Sequence, residues 1–470
     1  MAEPDSTRYA AGGVSARLDY SAPMPARNSS MISDRNRRIL ALALPIIGGM
    51  TSQNLLNLVD TAMVGALGAA PLAAVGIGSF LSFMSVAVVI GLATAVQALA
   101  ARRYGEGLHE QTAVPLNGGL ILALLLGAPI AVALYLLAPW VFALMTPDAE
   151  VVAQGTPYFQ MRLLSVVAVG MNFAFRGYWN AVDLARLYLY TLLVMHAVNV
   201  VLNYCLIFGH FGAPALGTLG AGLGTTISNW LGTIIYFAMA MRLCQGNGFL
   251  HQLPAPRQLV QQLRLGLPSS VQQFLFSAGL TAFFWIMAQV GTRELAVSNV
   301  LINITLVAIL PGIGLGLAAA TLVGHALGRG NAVDAHRWVW EVCRVGLIIF
   351  VLLALPMLLL PDLILGLFLH DASLVEAGRL PLRIVGATIA LDGIGLIVMH
   401  GLLGAGATGQ VMTVAMVLQW LLFLPAAWIM VNGFGLGLVA LWSGFVGYRC
   451  LQTLVFAYLW QQRGWTRIRI

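Results

Sequence analysis

Apolar residues fill this chain in long runs, broken by short segments where arginine, acids, glycine and proline gather. A helix of about 20 mostly apolar residues crosses the hydrocarbon layer, so each such run predicts a spanning helix. Twelve runs qualify, at 38–64, 72–100, 113–138, 150–178, 186–209, 217–242, 262–288, 295–324, 338–361, 374–403, 409–431 and 435–461. The predicted fold class is an all-α membrane protein. The first 35 residues are polar, rich in Ala, Ser and Pro, and lack the apolar block of a cleaved signal peptide. They are expected to form a disordered cytoplasmic tail, with a second short tail at 464–470.

Composition agrees, since 59% of the 470 residues are hydrophobic and only 9% charged, against about a quarter charged in soluble domains. The net charge of +7 forms no basic stripe with interleaved aromatics, so no nucleic-acid partner is implied. All 24 cationic residues are arginine, and 18 of them lie in the termini and the loops of one side. The opposite loops hold Arg293 together with Asp148, Glu150, Asp362 and Asp371. The positive-inside rule then predicts both termini in the cytoplasm and a multi-pass protein of a bacterial-type inner (plasma) membrane. Cys205, Cys244, Cys343 and Cys450 are scattered without CxxC spacing, which argues against a disulfide framework or metal site.

Shifted by 223 residues, the chain partly matches itself. Pro45 falls on Pro268, Gly68 on Gly291, Gly91 on Gly314, and Gly105 and Gly107 on Gly328 and Gly330. At a shift of 227, Gly177 falls on Gly404. The expected organisation is two parallel-repeat six-helix bundles, 36–245 and 258–463, joined by a cytoplasmic linker at 246–257. Transporters built from parallel repeats bind cargo in a central cleft between them. The intramembrane acids do not follow the repeat: Asp60 falls on Phe283, and Asp392 on Ser165. A carboxylate in hydrocarbon costs about 2.5–3.5 kcal/mol on insertion scales, so it persists only when paired, protonated or functional.

Helical spacing puts Gln53 and Asn57 on the face of Asp60, where their oxygens could support Na⁺ or a proton site. The alternative for Asp60 is a carboxylate that locks helices through neighbouring amides or hydroxyls. Gln53, Asn57, Gln272 and Gln273 are candidates to line the cleft; His196 and His400 could relay protons, although a lone intramembrane histidine is more often a packed polar residue. Arg176, Asp183 and Arg186 fall in a short cytoplasmic loop, explained by topology. The acids and scarcity of arginine within the spans favour cationic cargo.

The stretches "LALPIIGGMTSQNLLNLVDTAMVGALGAAPLAAVGI", "FRGYWNAVDLAR", "NVVLNYCLIFG", "LRLGLPSS" and "LAAATLVGHALGRGNAVDAHR" resemble the multidrug and toxic compound extrusion (MATE) family, over residues 36–463. The resemblance implies two bundles around a cleft and drug export driven by inward H⁺ or Na⁺. It implies that Asp60 is the coupling site and that Pro45 bends the first helix. It further implies that Asn199 and Asn203 belong to the ion site, and that Asp392 is a second ion or cation-substrate site. The pattern mixes DinF-like and NorM-like features, because Phe276 stands where the NorM-like branch has a glutamate.

The expected function is a secondary antiporter exporting organic cations in exchange for H⁺ or Na⁺, acting as a monomer among membrane lipids. No cofactor is implied beyond the coupling ion, and no metal beyond Na⁺ at Asp60 or Asp392. The rival is a lipid or lipid-linked oligosaccharide flippase, which would line its cleft with several cations. A membrane enzyme or ATP-driven pump is disfavoured, because HExxH, GxSxG and P-loop motifs are absent.

Overall fold

The computed structural model describes residues 30–369, 371–468 and 470, and it is almost entirely helical. Most of the tail expected over residues 1–35 lies outside the described residues; from Ser30 onward the chain is already helix. Among the described residues, ten helices are long and apolar enough to cross a bilayer, and a pair bent by 46° makes an eleventh. Thr218–Leu243 has the length, at 26 residues, but carries Thr225, Thr226, Ser228, Asn229 and Thr233. It completes twelve.

In chain order the spans of the first half are α1 Ser30–Gly65, α2 Ala69–Gly105 and α3 Val114–Met145, then α4 (Ala149–Leu163 and Val166–Ala181), α5 Ala185–Phe208 and α6 Thr218–Leu243. The second half holds α7 Pro256–Val290, α8 Thr292–Gly328, α9 Ala332–Leu359, α10 Ala372–Gly404, α11 Thr408–Asn432 and α12 Leu438–Gln461. Two acids on the arginine-poor side start helices. Asp148 accepts from the amides of Glu150 and Val151 before α4, and Asp371 from that of Ser373 before α10. The Ser373 hydroxyl and amide, both donating, hold the Asp371 carboxyl below its ordinary range. Within the expected C-terminal tail, Trp465 is buried and stacks on Trp460 at 4.1 Å between ring centres.

Several of the self-matching glycines are places where helices approach closely; Gly68 and Gly291 meet no other helix's backbone. A Cβ on Gly105 (α2) would lie 2.3 Å from the carbonyl oxygen of His325 (α8), and one on Gly328 (α8) 2.1 Å from that of Arg102 (α2). His325 is Arg102 shifted by 223, so the two contacts are one contact seen from either half. Likewise a Cβ on Gly91 would meet Ser270 Oγ at 2.5 Å, while one on Gly314 would meet Ile47, the counterpart of Ser270, at 2.4 Å. Within the halves, Gly177 crosses α2 at the Ala93 carbonyl and Gly404 crosses α8 at the Ala320 carbonyl. Gly107 and Gly330 serve differently. They end α2 and α8 with φ of +80° and +72°, a region that side chains disfavour.

Polar contacts reinforce the seam towards the arginine-rich end. Gln97 Nε2 donates to the Leu317 carbonyl at 2.8 Å and to Thr321 Oγ1 at 3.0 Å. Arg38 donates to Asp183 Oδ2 and to His325 Nδ1, both at 3.0 Å, and His325 Nε2 donates to the Ala181 carbonyl. Asp183, read from the sequence as a topology residue, therefore joins a chain that crosses between halves. Arg35 pairs with Asp334 and Glu341 of α9 and lies 3.8 Å over the Trp338 ring.

Gly105→Val should push α2 and α8 apart, since the added carbons meet a carbonyl rather than a movable side chain; overpacking of this kind costs about 1–3 kcal/mol. Spin labels at Leu108 and Val333 should then report longer distances, together with a lower Tm. Unchanged distances and unchanged Tm would show that the seam tolerates bulk.

Candidate functional site

Every hydrogen bond and ion pair joining the halves, among the described residues, lies between the level of Val88 and Ser270 and the arginine-rich end. Beyond that level the halves separate, so a cleft opens towards the opposite end. Its base holds a chamber of about 360 Å³, which includes Gln272, Gln273, His400, Tyr448, Arg176 and Arg449. A neighbouring cavity of about 260 Å³, lined by the first half and by Leu310 of the second, includes Gln53, Asn172, Tyr188 and Asn229, and shares Met50, Phe173 and Arg176 with the chamber.

Asp60 sits five residues from the end of α1, near the open end, while α1 extends beyond the apolar run at its arginine-rich end. It is half-buried and its Oδ1 accepts from Asn203 Nδ2 of α5 at 2.9 Å. The same amide donates to Asn199 Oδ1 at 3.1 Å, and Asn199 Nδ2 donates to Thr225 Oγ1 of α6 at 3.3 Å. Asn199 and Asn203 are both 1% exposed. Asn203 Oδ1 is buried and has no hydrogen-bond partner. No arginine pairs with Asp60 among the described residues.

Gln53 and Asn57 share the α1 face of Asp60 but form a separate network. Gln53 donates to Asn57 Oδ1 at 3.2 Å and accepts at 3.1 Å from His196 Nε2, whose Nδ1 meets Ser52 Oγ at 2.7 Å. Both networks keep one register between α1 and α5, with Gln53 level with His196 and Asp60 with Asn203. Pro45 stands within α1, where it withholds a backbone donor from the helix.

Asp392, expected as a second ion or cation-substrate site, is paired with an arginine. Its Oδ1 lies 2.6 Å from Arg449 Nη2 of α12, with side chains 13% and 11% exposed. The expectation that the interior holds acids and almost no arginine also fails at the chamber: Arg176 and Arg449 line it, and no aspartate or glutamate does. Arg176, expected in a loop, belongs to the second segment of α4 and lies 4.5 Å over the Phe173 ring.

Sequence reasoning also missed Gln419. A wide turn over Val417–Phe423 interrupts α11, a departure that recurs at functional sites. It lets Gln419 donate to the Phe276 carbonyl at 3.2 Å and Trp420 to that of Leu275 at 3.1 Å. Gly279 leaves the room, since a Cβ there would meet Gln419 Nε2 at 2.1 Å. The π-type turn has no sequence signature, whereas Arg449 was visible as a lone cation in an apolar run.

Comparison with known proteins points in one direction. A family model described as MatE matches residues 45–205 and again 268–429. A "Probable multidrug resistance protein NorM" of Rhizobium meliloti (strain 1021) is 30% identical, covering 87% of this chain and 90% of its own length. A "Multidrug resistance protein NorM" of Burkholderia vietnamiensis is 29% identical over 86% of this chain and 88% of its own. Among solved structures, an outward-facing multidrug resistance MATE family transporter superposes with TM-score 0.83 at 23% identity, covering 93% of this chain and 97% of that one. A MOP superfamily transporter from Pyrococcus furiosus superposes with TM-score 0.81 at 24% identity, covering 91% and 96%.

Arg449→Met should strand the Asp392 charge, and breaking a buried pair from one side costs about 3–5 kcal/mol. Paired neutralisation in Asp392→Asn/Arg449→Gln should recover most of the lost Tm. Equal losses in the single and double variants would mean that the pair is not coupled.

Proposed function

The chain belongs to the MatE family, and on that footing we propose that it exports small drug-like organic molecules in exchange for H⁺ or Na⁺ by alternating access. The names of its relatives support multidrug efflux, and the cleft closed at one end supports an alternating-access cycle. Since the closed end carries the arginine-rich loops, we take it as cytoplasmic, which makes this an outward-open state of a protein in the inner membrane.

One observation carries the coupling assignment: Asp60 is a half-buried acid held by a single amide, with no arginine paired to it among the described residues. Asn203 presents its Nδ2 side to the carboxylate, the orientation that suits an ionised Asp60. Protonation would turn one carboxyl oxygen into a donor, and the unpartnered Asn203 Oδ1 is the acceptor available once that amide rotates. A bound Na⁺ would draw instead on Asp60 and on the amide oxygens of Asn199 and Asn203. Either ion changes how α1 is tied to α5, and only such a difference between states can shift their populations. Organic cations, the cargo suggested by the sequence, would compete with the ion for the same carboxylate.

Asp392 is committed to Arg449 in this conformation, so coupling is assigned to Asp60 alone. The flippase rival called for several cations in the cleft. Of the two arginines at the chamber, one is already neutralised, which leaves too little positive charge for a diphosphate.

Asp60→Asn tests the reading in proteoliposomes loaded with a fluorescent organic cation, under separately imposed proton and sodium gradients. Gradient-driven efflux should fall to the level of empty liposomes while Tm and expression hold. Efflux equal to wild type would refute the role given to this acid.

A further inference from the structure

We infer that the chamber at the base of the cleft binds the carboxylate group of an aromatic organic molecule, and that Arg176 is the residue that recognises it. The inference rests on the exporter reading, and it adds an acidic cargo group to the cationic one that Asp60 would attract.

The chamber wall holds two guanidiniums, Arg176 and Arg449, and no aspartate or glutamate. Asp392 neutralises Arg449 from behind, in a separate pocket of about 10 Å³ that it shares with Thr305 and Phe445. Arg176 has no carboxylate within ion-pair distance among the described residues. What it touches is neutral: the Phe173 ring at 4.5 Å and the Tyr188 hydroxyl. The chamber therefore presents one uncompensated positive charge, half-buried on a membrane-spanning helix.

Such a charge persists where a counter-ion or function accounts for it. Guanidinium is the side chain suited to a planar two-oxygen anion, because its fork of N–H donors matches a carboxylate in two parallel hydrogen bonds. A single positive charge matches a single carboxylate better than a diphosphate. The rest of the chamber suits an aromatic body, with Phe83, Phe276 and Tyr448 on its wall and Gln272 and Gln273 offering amides. Arg176 also borders the neighbouring 260 Å³ cavity, so one anchor point serves both spaces.

The test is equilibrium binding, by fluorescence anisotropy, to the full chain in nanodiscs. The three probes share one ring: 7-diethylaminocoumarin-3-carboxylate, its methyl ester and its choline ester. Wild type should bind the carboxylate roughly tenfold or more tightly than the methyl ester, as a charged hydrogen bond predicts. R176Q should weaken the carboxylate roughly tenfold to a hundredfold and change both esters less than about twofold. R176K, which keeps the charge and loses the fork, should fall between. A carboxylate bound no better than the methyl ester, or an R176Q variant that weakens all three probes alike, would overturn the inference. Should R176Q unfold, the ranking of the probes on wild type decides by itself. Binding needs no gradient, so a failed exporter reading, seen as Asp60→Asn efflux equal to wild type, is separate from a failed carboxylate site.

Discussion

Two backbones in van der Waals contact, with no side chain between them, are the constraint on which this architecture depends. Where Gly105 meets the His325 carbonyl and Gly328 meets that of Arg102, any Cβ would hold α2 and α8 apart. Lipid offers no hydrophobic force to press helices together, so close packing and interhelical hydrogen bonds must hold the seam. Because the paired contacts are related by the internal repeat, the halves meet about an approximate two-fold relation. The cleft is the space left on the side where that packing stops.

A symmetric scaffold carries asymmetric chemistry. Asp60 corresponds to Phe283, which is fully buried in the second half and stacks against Phe445, with Phe423 and Trp442 around it. Asp392 corresponds to Ser165, which sits at the break in α4 and donates to the Arg162 carbonyl. One half thus has an aromatic core where the other has an acid, and a bend where the other has an ion pair. The C-terminal half is closed by aromatic packing at the position where the N-terminal half has a polar α1–α5 contact.

Much of this was legible in the sequence, for identifiable reasons. Spanning runs are legible because apolar length is a local property, and the crossing points because a glycine demanded by a backbone contact recurs at the repeat offset. Partnership was not legible. Asp392 and Arg449 lie 57 positions apart, and nothing local to either says that α10 and α12 meet there. Arg176 was misassigned to a loop because a charge near the end of an apolar run looks the same whether the helix stops or continues. The separation of Gln53 from Asp60 depends on which α5 side chain each one faces, His196 or Asn203, and spacing along α1 cannot supply that.

One rod joins the two ends of this machine. Helix α1 bears Arg35 and Arg38 near its beginning and Asp60 near its end, with Pro45 between. At 1.5 Å per residue, the arm from Pro45 to Asp60 is about 22 Å long. Flexing that arm by about 10° would carry its tip about 4 Å, enough to lift the carboxylate away from Asn203. The same length of helix, read backwards, puts the two arginine anchors and the acid on opposite sides of one proline.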